Sequence, residues 1–184
     1  KAKNPKTTDY FIDLGMPREK VVELVEVGNP ITRYSELIEM GECVNCKSID
    51  NRVSVFILIE TLKALKDQEV PYDIYGVFTV QEEVGLRGAN VSAMEIQPDF
   101  GFGLDTTIAY DLPGSKPHEE ITKLGEGTGI KIMDASAICD YRMVDYMKAT
   151  ADKHKIKWQA EILTAGGTDT AGIQRMNDGG AISG

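Results

Sequence analysis

Two adjacent acids, Glu82 and Glu83, are the first candidates for chemistry in this sequence. They follow residues 74–80, whose β-branched and aromatic side chains predict a short strand, and a glycine-containing turn comes next. Ligand-handling residues of α/β sheets cluster at the carboxyl ends of strands. Because the backbone bends there, one carboxylate can bind a metal while the other faces a reacting water, and a cation removes the repulsion between them. Taken alone, the pair is also compatible with two solvated acids in a loop.

Two aspartates, Asp50 and Asp105, extend this set. Asp105 lies near the end of a strand predicted for residues 100–109, where Asp is unfavourable. A buried carboxylate there needs a partner such as a metal, whereas at the strand end it could simply begin a turn. Asp50 precedes a helix predicted for residues 51–66, and as a single residue it is more typical of an N-cap than of a ligand. Three carboxylates form an oxygen-rich site, although zinc or cobalt normally requires imidazole as well.

The histidines and cysteines add no ligands to this set. His118 lies in a Pro- and Gly-containing loop, and His154 ends a predicted helix where it suits the helix dipole, so we interpret both as structural or surface residues. Three cysteines, at positions 43, 46 and 139, make no disulfide framework and predict a cytoplasmic protein. Cys43 and Cys46 lack the second ligand pair of a structural zinc site, and we expect ordinary thiols in a loop or short strand.

Alternating helices and strands must position these acids. The first part of the chain, residues 1–45, contains short pieces typical of the edge of a small β-rich domain. From residue 46 the alternation predicts an α/β fold, with a mixed central sheet flanked by helices. Helices are predicted at residues 17–25, 51–66, 141–154 and 171–176, and strands at residues 10–15, 31–44 with a break at Gly41, 74–80, 100–109, 129–133 and 158–163. The turn-like segment 178–184 is interpreted as a truncation.

Composition excludes several classes of protein. The 184 residues carry a net charge of −9, which argues against nucleic-acid binding because that function usually shows a basic footprint. No apolar run approaches the roughly 20 residues that span a bilayer, so no membrane partner is predicted. The basic opening leads into no apolar segment of a signal peptide.

Several motifs, in order, resemble the dimetal aminopeptidases that include the tetrahedral (TET) and glutamyl aminopeptidases. The resemblance covers nearly the whole chain, and residues 80–89 form its most specific signature. The other matching segments are residues 11–15, 47–52, 104–107, 111–114 and 166–169. The resemblance implies a zinc-exopeptidase-like α/β fold, in which residues 1–45 end a β-rich dimerisation domain and residues 46–184 form an incomplete metallopeptidase core.

The resemblance also implies a role for each acid. Asp50 bridges two divalent metal ions, zinc or cobalt, and a cis peptide joins it to Asn51. Glu83 binds one metal and Asp105 the other, while Glu82 is the catalytic general base and acid. The substrate-binding loop comprises Gly166, Gly167, Thr168 and Asp169.

The implied activity is hydrolysis of N-terminal residues from peptide substrates, in a homo-oligomer that ranges from dimer to dodecamer in the family. The family's metal set also contains two histidines, in segments that this sequence does not include, so we interpret the chain as an internal portion of a longer protein. Two alternatives remain at this point. Paired carboxylates also serve glycoside hydrolases of the endoglucanase type, although the single Trp158 offers little sugar-binding surface. A truncated homologue without catalytic activity is the other.

Overall fold

A computed structural model describes residues 4–176 and 182–184. The chain divides into two compact units, Lys1–Lys47 and Ser48–Gly184. It is a mixed α/β structure in which helices flank small sheets, as the sequence predicts. Most of the turn predicted for residues 178–184 lies outside the described residues.

The first unit is built from short elements. Helix α1 spans Arg18–Leu24, and strands β1 (Ile38–Met40) and β2 (Cys43–Asn45) pair in an antiparallel hairpin. Gly41 takes a φ of 63° between the two strands, a conformation that favours glycine, so the predicted break is confirmed. Cys43 lies in β2, and all three cysteines are free thiols, as expected.

The predicted strand at residues 10–15 is wrong. Residues 10–15 pair with no strand of the described residues, and a strand forms only where a neighbour satisfies its backbone hydrogen-bonding groups.

The described residues of the second unit form eight α-helices and β-strands. In chain order its elements are α2 (Ile49–Leu65), α3 (Arg87–Ile96), β3 (Phe100–Gly101), β4 (Thr128–Met133), α4 (Tyr141–Lys153), β5 (Trp158–Ile162), α5 (Asp169–Gln174) and β6 (Ile182–Ser183). Strand β4 pairs with β5 and β3 with β6, both in parallel. Helix α3 packs against α5, and α4 packs against β4.

A small hydrophobic core fixes α4 on the β4–β5 sheet. Its buried members are Ile130, Cys139, Val144 and Ala151, and the partly buried Ile132, Met147 and Trp158 pack against them. Helix α4 begins at Tyr141 because the Asp140 carboxylate caps it by accepting a hydrogen bond from the Arg142 N–H, at 2.9 Å. The hydrogen-bonded Arg142 side chain lowers the pKa of Asp140 to about 2.

Two predicted strands need correction. Residues 74–80 form no strand, and only Phe100–Gly101 of the segment 100–109 is paired, because the described residues supply no further neighbouring strand. The apolar side of α2 is not covered within these residues: Val53, Phe56 and Ile57 stay exposed. Helix α3 lies outside the predictions because its buried side consists only of Ala89 and Ala93, which give a weak hydrophobic pattern.

No helix in the described ranges is both long and apolar enough to cross a membrane.

Candidate active site

Glu82 and Glu83 open a tight turn immediately before α3. A single 3₁₀ turn spans Glu82–Val84, and the left-handed conformation of Gln81, with φ 57°, bends the chain as it enters the turn. The Gly88 N–H donates to the Val80 carbonyl at 2.9 Å, which fixes the start of α3 against this bend. Glu82 is half-buried while Glu83 is exposed, so the two neighbours face different surroundings.

Four other carboxylates lie close enough to act on Glu82 electrostatically. Desolvation is the main cause that raises the pKa of Glu82 to about 7, and the negative charges of Asp105, Asp169, Glu83 and Asp50 raise it further. The structure therefore brings the predicted base, the three predicted metal ligands and one residue of the predicted substrate loop into one electrostatic neighbourhood. Carboxylates crowded in this way resist ionising together.

Asp105 is held by hydrogen bonds on one oxygen. Its Oδ1 accepts from the Thr106 N–H at 2.8 Å and from Asn51 Nδ2 at 2.9 Å. Desolvation raises the pKa of Asp105, the Thr106 N–H opposes that shift, and the charges of Asp50 and Asp169 add to it. A positive charge close to Asp105 would therefore favour its ionised form.

Asp50 does not cap α2. Its φ and ψ of −78° and 104° are not helical, and a cis peptide joins it to Asn51, as the resemblance implies. Asn51 is not helical either, so the regular part of α2 begins after it, and the Asn51 Oδ1 caps that part by accepting from the Ser54 N–H at 3.3 Å. The N-cap interpretation of Asp50 is thus wrong, because the side chain of Asn51 caps the helix instead. The exposed Asp50 carboxylate stays available for another partner.

The predicted substrate loop is tied to the site through its last two residues. Asp169 Oδ2 accepts from the Thr79 hydroxyl at 2.6 Å, just before the Glu82 turn, while Asp169 Oδ1 is buried without a hydrogen-bond partner among the described residues. The Thr168 hydroxyl donates to Asp134 at 3.2 Å. Gly166 and Gly167 follow a bend at residues 164–165, and Gly166 takes a φ of 78°.

A buried charge network beneath these segments is absent from the sequence predictions. Lys131 of β4 pairs with its cross-strand neighbour Glu161 of β5 at 2.5 Å, and lies 3.8 Å from Asp134. The Thr107 hydroxyl also donates to Glu161, at 2.8 Å. The network thus joins the chain after Asp105 to the sheet. Its only sequence signal is one charge of opposite sign in each of two predicted apolar strands.

The family model for the M42 glutamyl aminopeptidases matches residues 1–183. The chain belongs to this family. A putative aminopeptidase of Acetivibrio thermocellus is 37% identical over 183 residues, which cover 99% of this chain and 54% of that protein.

Solved structures of aminopeptidases are similar as well. An aminopeptidase from the archaeon Desulfurococcus kamchatkensis superposes with a TM-score of 0.93 at 34% identity, covering all of this chain and 52% of that one. The Pyrococcus horikoshii TET1 peptidase, which can assemble into a tetrahedron or a large octahedral shell, gives a TM-score of 0.71 at 27% identity, over 99% of this chain and 57% of its own. The chain spans about half the length of these relatives.

M42 membership implies divalent metals, and the donor chemistry of the site fits them. Carboxylate oxygens are hard ligands, and a cation would relieve the repulsion around Glu82. Within the described ranges, however, no three His, Cys, Asp or Glu side chains converge closely enough to hold an ion by themselves. Both His118 and His154 are exposed, as expected for surface residues. The described residues therefore supply carboxylates that could serve as ligands but not a complete coordination sphere.

Proposed function

We propose that this chain contributes the carboxylate half of the active site of a metal-dependent aminopeptidase that releases N-terminal residues from peptides. The observation that carries the proposal is the half-buried Glu82 at the turn before α3, in a chain of the M42 family, with four further carboxylates near enough to raise its pKa. Crowding of this kind is unfavourable in a protein without a cation partner. We take the cofactor to be two divalent ions, zinc or cobalt.

The residues divide the work as follows. Asp50 would be shared by the two ions, and Glu83 and Asp105 would each hold one of them. Bound divalent ions supply Lewis acidity and lower the pKa of a water molecule towards neutrality. Glu82 accepts a proton on its carboxylate from the water that attacks the first peptide carbonyl, and then donates that proton to the leaving amine.

The loop of Gly166, Gly167, Thr168 and Asp169 lines the substrate side. Gly166 is exposed, so its backbone groups are accessible to a peptide, whereas the Ser136 side chain lies against Gly167. The hydrogen bonds of Thr168 to Asp134 and of Asp169 to Thr79 hold the loop in place. A bound peptide therefore meets a loop that is already anchored at one end.

The proposal extends to domains, assembly and location. Residues 1–45 would end a dimerisation domain and residues 46–184 would form the catalytic core, in a cytoplasmic homo-oligomer. The support for oligomerisation is the similarity to the Pyrococcus horikoshii peptidase that assembles into a tetrahedron or an octahedral shell.

Substitution of Glu82 tests the proposal in the full-length protein. Glu82→Gln keeps the size of the side chain but cannot accept a proton, and we expect kcat on aminoacyl-p-nitroanilides to fall by roughly 10²–10⁴-fold. Metal content, measured by elemental analysis, should stay near that of the wild type. Glu95→Gln, an exposed change in α3, is the matched control. A wild-type kcat in the Glu82 variant would show that the assignment is wrong.

The glycoside hydrolase alternative is not favoured, because the family match is to a peptidase. Trp158, the only tryptophan, packs against the hydrophobic core and donates its indole N–H to Asp152 at 2.8 Å, so it is not free to stack on a sugar. Activity that survives exhaustive chelation would revive this alternative. A non-catalytic homologue would bind no metal and release no N-terminal residue.

A further inference from the structure

We propose that Asn51 is a positioning residue that presets Asp105 for cation binding, by holding one carboxylate oxygen in place and leaving the other to the cation. The inference rests on the proposed function, because it concerns a ligand of the proposed metal site. It assigns a role to an uncharged residue that lies outside the ligand set itself.

The Asn51 carboxamide is fixed on both sides. Its Oδ1 accepts from the Ser54 N–H at 3.3 Å, and its Nδ2 donates to the Leu104 carbonyl at 3.0 Å and to Asp105 Oδ1 at 2.9 Å. An amide carries two N–H donors, and these two contacts use both of them. A flipped amide would place its oxygen against a carbonyl and a carboxylate, so this network selects a single orientation.

Asp105 is correspondingly held through one oxygen. Oδ1 receives hydrogen bonds from Asn51 and from the Thr106 N–H. A cation therefore finds its ligand in Oδ2, whose direction is set once Oδ1 is anchored. Outer hydrogen bonds of this kind orient metal-binding carboxylates and adjust their affinity.

An amide suits this position better than a charged donor would. A Lys or Arg side chain at the same distance would hold Asp105 but would also repel the incoming cation. Asn51 anchors the carboxylate without adding positive charge. Because the same side chain caps α2, it also joins the Asp105 segment to the helix that follows Asp50.

Cobalt binding to the full-length protein tests the inference. Asn51→Leu keeps the branched shape of the side chain but removes both donors, and we expect affinity for Co²⁺ to fall roughly 10–100-fold, the usual effect of losing such a partner. The visible absorption bands of bound Co²⁺ should also shift, because the Asp105 oxygens become free to rearrange. The matched control is Gln68→Leu, which removes an exposed amide near the opposite end of α2.

A second variant separates positioning from folding. Asn51→Asp keeps an acceptor for the Ser54 N–H but cannot donate to Asp105, so the Co²⁺ bands should shift in this variant too. Circular dichroism reports whether each variant folds. Wild-type Co²⁺ affinity and spectrum in either folded variant would overturn the inference, and failure of both variants to fold would do so by assigning Asn51 a structural role only.

The wild-type protein distinguishes the inference from the function on which it rests. If the wild type neither binds Co²⁺ nor releases N-terminal residues, the proposed function fails together with the inference. If the wild type does both and the Asn51 variants bind Co²⁺ as it does, the inference alone fails.

Discussion

The two carboxylate oxygens of Asp169 lie in different surroundings, so this residue is sensitive to the loss of a single hydrogen bond. Oδ2 accepts a 2.6 Å hydrogen bond from Thr79, while the buried Oδ1 has no such partner within the described residues. A carboxylate held by one hydrogen bond depends strongly on that bond. Thr79 lies three positions before Glu82, so the same bond joins the predicted substrate loop to the turn that carries the proposed base.

Removing the Thr79 hydroxyl should therefore affect both stability and activity. Thr79→Val keeps the shape of the side chain but leaves Asp169 without its partner, and we expect a loss of about 1.5–3 kcal/mol in the free energy of unfolding. Urea denaturation followed by circular dichroism measures the loss. Thr79→Ser retains the hydroxyl and serves as the control. Equal stability of the valine and serine variants would show that this bond contributes little.

The charged residues of the candidate site stand out in the sequence, whereas their hydrogen-bond partners do not. Glu82, Glu83, Asp50 and Asp105 stand out because carboxylates at element ends need a reason to be there. Their neutral partners give no comparable signal. Asn51 meets Asp105 across 54 residues, and Thr79 meets Asp169 across 90.

The pairing of β4 with β5 depends on charge as well as on apolar packing. Lys131 and Glu161 are cross-strand neighbours, and the exposed fractions of their side chains are only 15% and 5%. Asp134, just after β4, is fully buried and receives hydrogen bonds on Oδ1 from Ser136 and Ala137. Burial alone would raise the pKa of Asp134, but these bonds and the charge of Lys131 lower it.

Loss of the central cation should be costly because it leaves two buried anions without a counterion. We expect Lys131→Met to lower the free energy of unfolding by roughly 3–5 kcal/mol. Adding Glu161→Gln removes one of those anions, so the double variant should be less destabilised than the sum of the single changes. Thermal and urea denaturation of all four proteins gives the coupling energy.

An exposed ion pair provides the comparison for this double-mutant cycle of Lys131 and Glu161. Lys157 lies 3.0 Å from Glu126, and both side chains are more than half exposed. Exposed pairs typically contribute about 0–1 kcal/mol, so Lys157→Met should change stability little. Additive effects of the Lys131 and Glu161 changes would contradict a shared network.

Helices and strands that their own residue pattern specifies are predicted well, whereas segments that become strands only with a distant pairing partner are not. The helices α2, α4 and α5 and the strands β4 and β5 carry their own periodicity, and each is found close to its predicted position. Residues 74–80 have the composition of a strand, but a strand also requires a hydrogen-bonded neighbour, which composition cannot reveal. The pairing of Lys131 with Glu161 likewise depends on the register between two strands.

Charge from four separate segments meets in the second unit. Asp50 comes from the start of α2, Glu82 and Glu83 from the turn before α3, Asp105 from the chain after β3, and Asp169 from the start of α5. The other four charges act on Glu82 in the direction that disfavours its ionised form. The fold therefore holds together segments whose side chains repel one another, in a chain whose net charge is already −9.

Divalent cations should for this reason stabilise the whole fold and not only the site. A ligand that binds the folded state alone at 100 times its Kd adds about 2.7 kcal/mol to the free energy of unfolding. We expect exhaustive chelation of the full-length protein to lower Tm by several degrees, and Zn²⁺ or Co²⁺ to restore it. KCl at equal ionic strength should not restore it, because screening acts only weakly on partly buried charges.

The variant Asp105→Asn loses one proposed ligand and one repelling charge. After chelation it should melt at or above the Tm of the chelated wild type, and added Zn²⁺ should raise its Tm less. A Tm that is indifferent to chelation in the wild type would contradict metal binding at these carboxylates.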